Sequence, residues 1–315
     1  MKPSILLLKV SLVTKSKLNI QNAGIILKPQ NIPEYNSVLP NLISWLKRRK
    51  IKAFFPEEDA ERLKNILKAQ IKDVQYLSIK GLHKKMDLNI SLGGDGTLLG
   101  FGRHSDRSSA PIFGVNMGNL GFITEFTKSE FFEGLSSLIQ NKCEIKKIPL
   151  FKVQIHKANK KLLETHFLND VVISKNDISR IFSLSVENSE EHIYNLSGDG
   201  LIVSSPVGST AYSLAAGGPI ISPMVQALVL TPICPHSLTH RPIVISDKDA
   251  IKIKIPSGSD SILVTLDGQE VKEADSRSTI TITKSRTRQI KLVTNPSRTY
   301  FQTLKDKFTH GRRTF

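Results

Sequence analysis

At 315 residues the chain is long for one core and ample to bury a stable interior, so two domains are the expectation. Lys and Arg number 44 against 28 Asp and Glu, and the formal charge of +16 favours polyanionic partners (nucleotides, polyphosphate, nucleic acid or a membrane surface) or marks a generally lysine-rich, solvated surface. The lysines are scattered and aromatics are few, which argues against a nucleic-acid stacking platform. No apolar run approaches the roughly 18 residues of a membrane span, and the N-terminal ILLLKVSLV is broken by Lys9 with no small-residue cleavage site after it. Cys143 and Cys234 are the only cysteines, too few for a disulfide framework, so a cytoplasmic protein with no membrane partner is expected. Cys234, His236 and His240 lack the second Cys/His cluster that zinc needs, and no metal ligands are assigned.

Residues 1–22, apolar and lysine-rich, read as an added strand or a loose extension before the first domain-like stretch, Gly24 to Leu27. Val38, Leu39, Leu42, Ile43 and Leu46 follow helical spacing, with Pro40 starting or kinking the helix, and Ile51 to Phe55 reads as a strand. Leu63, Ile66, Leu67 and Ile71 form a second amphipathic face behind Glu57 and Glu58, acids suited to a helix N-terminus. Leu88, Ile90 and Leu92 alternate like a strand with one buried face and run into Gly93-Gly94-Asp95-Gly96-Thr97. Glycines around a single acid let a polyphosphate or sugar touch the backbone and leave Asp95 as the side chain for chemistry, the plainer alternative being a glycine turn whose acid caps the next helix. The stretch is neither a P-loop, since GxxxxGK[ST] is absent, nor a dinucleotide fingerprint, since Leu99 replaces the third glycine.

Pro111 to Asn116 is another short strand, and Thr127 with Glu130 forms a capping box ahead of Phe131, Phe132, Leu135, Leu138 and Ile139 on one helical face. Strand and helix alternate throughout this half, the pattern of a parallel sheet with ligands at the carboxyl ends of its strands. After about Cys143 the period changes to two: Phe151/Val153/Ile155, Phe182/Leu184/Val186, Ile251/Ile253/Ile255, Ile262/Val264/Leu266 and Ile280/Ile282 alternate with polar residues, and Asp267-Gly268 signals a hairpin. The expected architecture is an α/β domain over 23–145, a mostly β domain over 146–295, and a helical tail over 296–315, regular from Tyr300 to Arg313, that packs back on the first domain. Ser197 to Pro223 is rich in Gly, Ser and Thr, whose backbone N–H groups and hydroxyls suit a ribose and phosphate pocket or a plain system of tight turns. Thr210-Ala211-Tyr212-Ser213 should open a short helix there.

GGDGT at 93–97 resembles the loop shared by NAD kinases, diacylglycerol and sphingosine kinases and, as GGDG, phosphofructokinases. Together with NMGNLGF at 116–122, LND at 168–170, GDGLIVSSPVGSTAYSLAAGGPI at 198–220, PICPHSLTHRPIV at 232–244 and DGQ at 267–269, in that order, it resembles the NAD kinase family over most of the chain from about residue 24. The resemblance implies a Rossmann-like α/β domain joined to a β-rich NAD-binding domain, and ATP-dependent or polyphosphate-dependent phosphorylation of NAD at its adenosine 2′-hydroxyl. It implies that Asp95 faces that hydroxyl with Gly96 beside it, while Gly93, Gly94 and Thr97 complete the phosphate loop. Asn169 and Asp170 are similar to the pair that holds the ribose and adenine, although many relatives have Glu at the second position. Arg180 matches a basic position that contacts nucleotide, and Asp199 with Thr210, Ala211, Tyr212, Ser213, Leu214 and Ala215 matches the second half of the pocket. Gln269 matches a further contact, or belongs to a plain hairpin turn.

Two positions depart from several relatives: Gly100 and Ser197 stand where basic residues are often found. Arg103 is the nearest substitute charge, with a solvated surface role as its simpler reading. An unperturbed Asp titrates near 3.9, far below a sugar hydroxyl, so Asp95 is expected to orient the hydroxyl and accept its proton late. Divalent metal, Mg²⁺, is expected to arrive with the donor, and a homodimer or homotetramer is implied by the resemblance. A lipid kinase sharing the GGDGT loop and a non-catalytic nucleotide-binding module are the alternative readings.

Overall fold

In the N-terminal half the alternation of short apolar runs and amphipathic stretches resolves into a parallel sheet flanked by helices. The structure, a computed structural model, describes residues 13–14, 18–118, 121–157, 160–176, 182–189, 191–256, 262–274 and 277–309. The strands Asn22–Leu27, Lys52–Pro56, Val74–Leu77, Leu88–Gly93 and Ile112–Asn116 run parallel. Across the sheet their order is third, second, first, fourth, fifth. The chain therefore walks outward from Asn22–Leu27 and then returns to that strand's other side. The carboxyl ends of Asn22–Leu27 and Leu88–Gly93 flank the reversal, where open α/β sheets leave a crevice for a ligand.

Local chemistry explains these elements. Helix Tyr35–Arg48 buries Val38, Leu39, Leu42, Ile43 and Leu46, the face expected from their spacing. Pro40 neither starts it nor ends it but stands inside it. Helix Phe131–Ile139 follows the capping box: Thr127 N–H donates to Glu130 Oε2 at 2.8 Å and Glu130 N–H to Thr127 Oγ1 at 3.4 Å. One expectation fails at Leu88–Gly93, where all residues are buried and not one face alone. The strand has parallel neighbours on both edges, and apolar clusters cover it, so even Asn89 and Ser91 are fully enclosed.

The β half builds a sandwich. Phe151, Val153, Ile155, Leu184, Val186, Ile253, Ile280 and Ile282 from one sheet share a core with Val171, Ile173, Leu201, Val203, Val264 and Leu266 from a six-stranded antiparallel sheet. Each such side chain contributes about 1.5–3 kcal/mol when fully buried, which is why the alternating positions hold the register. The long strand Ser278–Val293 pairs antiparallel with Ile145–Lys157 and, at Leu292, parallel with Ile112. That one parallel step merges both halves into a continuous 13-stranded sheet.

A junction cluster fixes the geometry between the halves. Leu98, Leu99 and Phe101, just after the glycine turn, pack with Ile148, Leu150, Leu168, Val207, Ile290 and Leu292. Of the N-terminal extension, Val13–Thr14 is an added strand on Ile145–Lys146, and residues 1–12 and 15–17 lie outside the described residues. The last helix, Tyr300–Thr309, returns to the α/β half as expected, with residues 310–313 outside the described range. Arg298 pairs with Glu130 at 2.7 Å, and Lys307 lies 5.1 Å from the Phe122 ring centre.

Candidate active site

A cleft of about 960 Å³ opens at the point where the winding reverses. Leu27 and Lys28 at the end of the first strand form one side, and Gly93, Gly94, Gly96 and Thr97 form the floor. Gln269 reaches over from the β half and donates from Nε2 to Gly96 O at 2.7 Å. The helix Asp95–Gly102 begins at this floor, so its positive N-terminal end faces the cleft where a phosphate would lie. Gly100 acquires a reason here: a Cβ at that position would stand 3.0 Å from Gln269 Oε1. The absence of a larger side chain lets Gln269 lie flat across the helix.

Asp95 is the first residue of that helix, and four donors hold its carboxylate. Oδ1 accepts from Ile123 N–H at 3.3 Å, Thr124 N–H at 3.0 Å and the Thr124 hydroxyl at 2.7 Å. Among the described residues Oδ2 accepts only from Phe122 N–H, at 2.8 Å. The carboxylate therefore lies against the 121–124 segment, between two glycines that line the cleft, and not among the lining residues itself. Gly121 permits this approach, since a Cβ there would collide with Asp95 Oδ1 and Thr124 Oγ1. Oδ1 is saturated, so the capacity for a further proton or hydroxyl resides on Oδ2.

A second cavity, about 630 Å³, gathers Asn169, Asp170, Lys175, Asp199, Ala211, Tyr212, Asp267 and Gly268. Asp267 organises it. Its carboxylate accepts from the backbone N–H groups of Leu168 (3.1 Å), Asn169 (2.7 Å) and Asp170 (3.3 Å), fixing the LND turn. Asp267 and Gly268 have φ of 50° and 64°, as the hairpin signal requires, and Gln269 N–H closes the turn on Leu266 O at 2.9 Å. Since Gly268 lines this cavity and Gln269 the first, a single hairpin tip separates the two.

Electrostatics set the members of the second cavity apart. Burial, and then the charge of Asp267, pushes the Asp170 carboxyl up to about 7. Asp267 is also raised by burial, opposed by its three backbone donors. Asp199 is lowered, chiefly by the hydrogen bond from Lys175, whose Nζ lies 2.7 Å from Oδ1. Asn169 Oδ1 is buried and has no partner among the described residues, an acceptor left waiting for a donor. Close packing holds this turn in place, because a Cβ on Gly208 would collide with the Asn169 carbonyl.

Most of the residues singled out in the sequence meet at these two cavities. Gly93, Gly94, Gly96, Thr97 and Gln269 line the first, and Asn169, Asp170, Asp199, Ala211 and Tyr212 the second. Besides Asp95, four do not reach the lining. Thr210 turns its hydroxyl to Val207 O at 3.2 Å, Ser213 is fully buried with its hydroxyl 2.8 Å from Thr231 Oγ1, and Leu214 and Ala215 follow it in the short helix Tyr212–Ala215. Arg180 lies outside the described residues. The surface reading of Arg103 is corrected: its side chain is only 13 % exposed and lies 3.7 Å from Glu270 at the junction. Asp267 and Lys175 also line the second cavity although their local sequence does not point there, since Asp-Gly reads as a turn and an isolated lysine in a strand carries no signal. Among the described residues no three His, Cys, Asp or Glu side chains gather as a metal site, and no helix is long and apolar enough to cross a membrane.

Comparison with known proteins matches this division of labour. Residues 23–143 match the ATP-NAD kinase N-terminal domain, and residues 168–294 the ATP-NAD kinase C-terminal domain. The chain is 37 % identical over 284 residues to the NAD kinase of Geotalea daltonii, covering 89 % of this chain and 96 % of that one. It is 35 % identical over 294 residues to the NAD kinase of Solibacter usitatus, covering 93 % and 99 %. In fold it is similar to yeast NADH kinase complexed with NADH, with a TM-score of 0.83, 24 % identity, and 94 % and 89 % of the two chains covered. It is also similar to an NAD kinase from Archaeoglobus fulgidus in complex with ATP, with a TM-score of 0.67, 23 % identity, and 91 % and 98 % covered. With both domain models matched in order and relatives aligned over most of its length, the chain belongs to the NAD kinase family.

Proposed function

We propose that the two cavities together hold NAD for phosphorylation of its adenosine 2′-hydroxyl by ATP or another polyphosphate, yielding NADP. The observation that carries this reading is the unpartnered Asn169 Oδ1 beside the Asp170 carboxyl, across one hairpin tip from the glycine floor. Ribose hydroxyls and an adenine amino group are the donors such a pair accepts. At neutral pH the Asp170 carboxyl is partly protonated and serves as donor and acceptor alike.

The 2′-oxygen attacks the terminal phosphorus, the bond from that phosphorus to the bridging oxygen breaks, and ADP or a shortened polyphosphate departs. Asp95 Oδ2 receives the hydroxyl proton, after Asp95 turns from the 121–124 segment toward the glycine floor. Phosphoryl transfer has a loose transition state, so the chain contributes mainly alignment and backbone donors at the helix N-terminus. Mg²⁺ would arrive on the donor's phosphates, where it would neutralise charge on the transferring group.

NADP formation measured with a panel of donors (ATP, tripolyphosphate, long-chain polyphosphate) tests the reaction and the donor together. Diacylglycerol in place of NAD is the control; label transfer to lipid without NADP formation would reverse the assignment. The free thiols Cys143 and Cys234 suit a reducing, cytoplasmic setting. Exposed Leu162, Val244 and Val271 on strands of the β half suit self-association into a homodimer or homotetramer, which light scattering measures.

A further inference from the structure

A third cavity, about 350 Å³, shares no lining residue with the two cavities of the nucleotide site. Its rim carries Arg107, Lys147, Lys284 and Arg288, with Asp247 as the acid among them. Lys284 is committed to Asp247, Nζ to Oδ2 at 2.7 Å. Among the described residues no carboxylate lies within ion-pair distance of Arg107, Lys147 or Arg288. Asp247 is 3 % exposed, yet among the described residues its Oδ1 has no hydrogen-bond partner. Three cations without a carboxylate partner and one orphaned buried acceptor therefore face a single space. The exposed Arg107 and half-exposed Lys147 and Arg288 are solvated and cost little, but they hold the space positive. The buried acceptor is the costly group, and a ligand carrying both an anion and a donor matches the two together.

The rim is built, not incidental. In the long strand Ser278–Val293, Lys284 stands opposite Phe151 and Gln289 opposite Pro149, so residues 285–288 bulge out of the ladder. Bulges re-aim side chains, and this one is sewn to the 104–107 turn from both sides. Arg107 N–H donates to Thr287 O at 3.2 Å, and Arg288 Nη1 donates to His104 O at 2.9 Å. Lys147 is brought to the same rim by its pairing opposite Lys291. Ile148, Phe151 and Val207 supply an apolar floor.

We propose that this cavity is a second ligand site, taking a small phosphate monoester that carries a hydroxyl or amino group. The phosphate sits on Arg107, Lys147 and Arg288, and the ligand's own donor satisfies Asp247 Oδ1. The volume lies at the low end of the roughly 300–1,000 Å³ range of small-molecule pockets, which suits a sugar phosphate better than a dinucleotide.

The test is calorimetric titration of the full chain, saturated with NADP to fill the nucleotide site, with ribose 5-phosphate and in parallel with inorganic phosphate at matched ionic strength. Ribose 5-phosphate should bind once per chain, about tenfold or more tighter than phosphate, and Asp247→Asn should abolish that advantage. Arg107→Ala/Arg288→Ala should weaken ribose 5-phosphate at least about tenfold while kcat with NAD stays within about twofold. Lys147→Ala, on a half-exposed strand position, gives the same reading if the double variant does not fold. No saturable binding of ribose 5-phosphate to the NADP-bound chain, or an affinity unchanged by these variants, would overturn the proposal.

Discussion

The two walls of the proposed nucleotide site treat their carboxylates in opposite ways. On the glycine wall Asp95 is surrounded by four donors, three of them backbone N–H groups. On the facing wall Asp267 takes the backbone donors, and Asp170 next to it is left with burial and a like charge, which push its carboxyl up to about 7. One residue type is thus held by hydrogen-bond donors at Asp95, used as an anchor for a turn at Asp267 and, among the described residues, left without donors at Asp170, according to which backbone groups reach it.

Replacing the anion on the glycine wall should have the largest effect. Asp95→Asn is expected to lower kcat by roughly 10²–10⁴ with the chain still folded, the range typical of a general base. The amide nitrogen also meets backbone N–H groups it cannot accept from, so protection of Phe122–Thr124 amides should fall in hydrogen exchange. A folded variant losing less than about tenfold would remove Asp95 from the chemistry. Gly121→Ala attacks the same group indirectly, since the new Cβ displaces Asp95 Oδ1 and Thr124 Oγ1. A misplacement of about 1 Å costs on the order of 10²-fold in rate, so kcat should fall by that order with KM for NAD little changed; equal losses in both would mean the turn has simply unfolded.

The facing wall should respond to pH. The folded-state carboxyl of Asp170 lies above its unfolded value, so the native chain keeps this proton longer. Stability therefore falls as pH climbs from 3.8 to about 7 and levels above that. Asp170→Asn removes the penalty and should stabilise the chain at pH 8 by as much as about 4 kcal/mol, with the gain vanishing near pH 4. If donors on NAD favour the carboxylate, KM for NAD should fall several-fold between pH 6 and 8 in the parent and stay flat in Asp170→Asn. A pH-independent difference between the two would detach Asp170 from the substrate.

Much of this contrast was legible in the sequence. The alternation at Phe151/Val153/Ile155 and its counterparts places every one of those side chains in the sandwich core, and the capping box at Thr127 and Glu130 forms as spaced. Period alone could not show that Leu88–Gly93 is covered on both faces, because neighbours in a parallel sheet come from distant segments. Nor could it show the merger of the halves, which rests on Leu292 meeting Ile112. Asp267 was visible only as a turn former, since three backbone donors converging on one carboxylate depend on tertiary placement.

The smallest effect concerns the hairpin tip between the walls. Gln269 makes one bond to the α/β half here, from Nε2 to Gly96 O, and Gly100 leaves the room for it. A neutral hydrogen bond of this kind contributes about 0.5–1.5 kcal/mol to the fold, so Gln269→Ala should lower the melting temperature by roughly one to three degrees and, by loosening the hairpin tip, raise KM for NAD at most about tenfold. Gly100→Ala presses on the same amide from beneath, at 3.0 Å from Oε1, and should reproduce part of that loss with Gln269 intact. Because both substitutions act through one contact, the double variant should be no worse than Gln269→Ala alone. Additive losses, read from KM in the double-mutant cycle, would mean that Gly100 makes room for the nucleotide itself and that the walls are not coupled through Gln269.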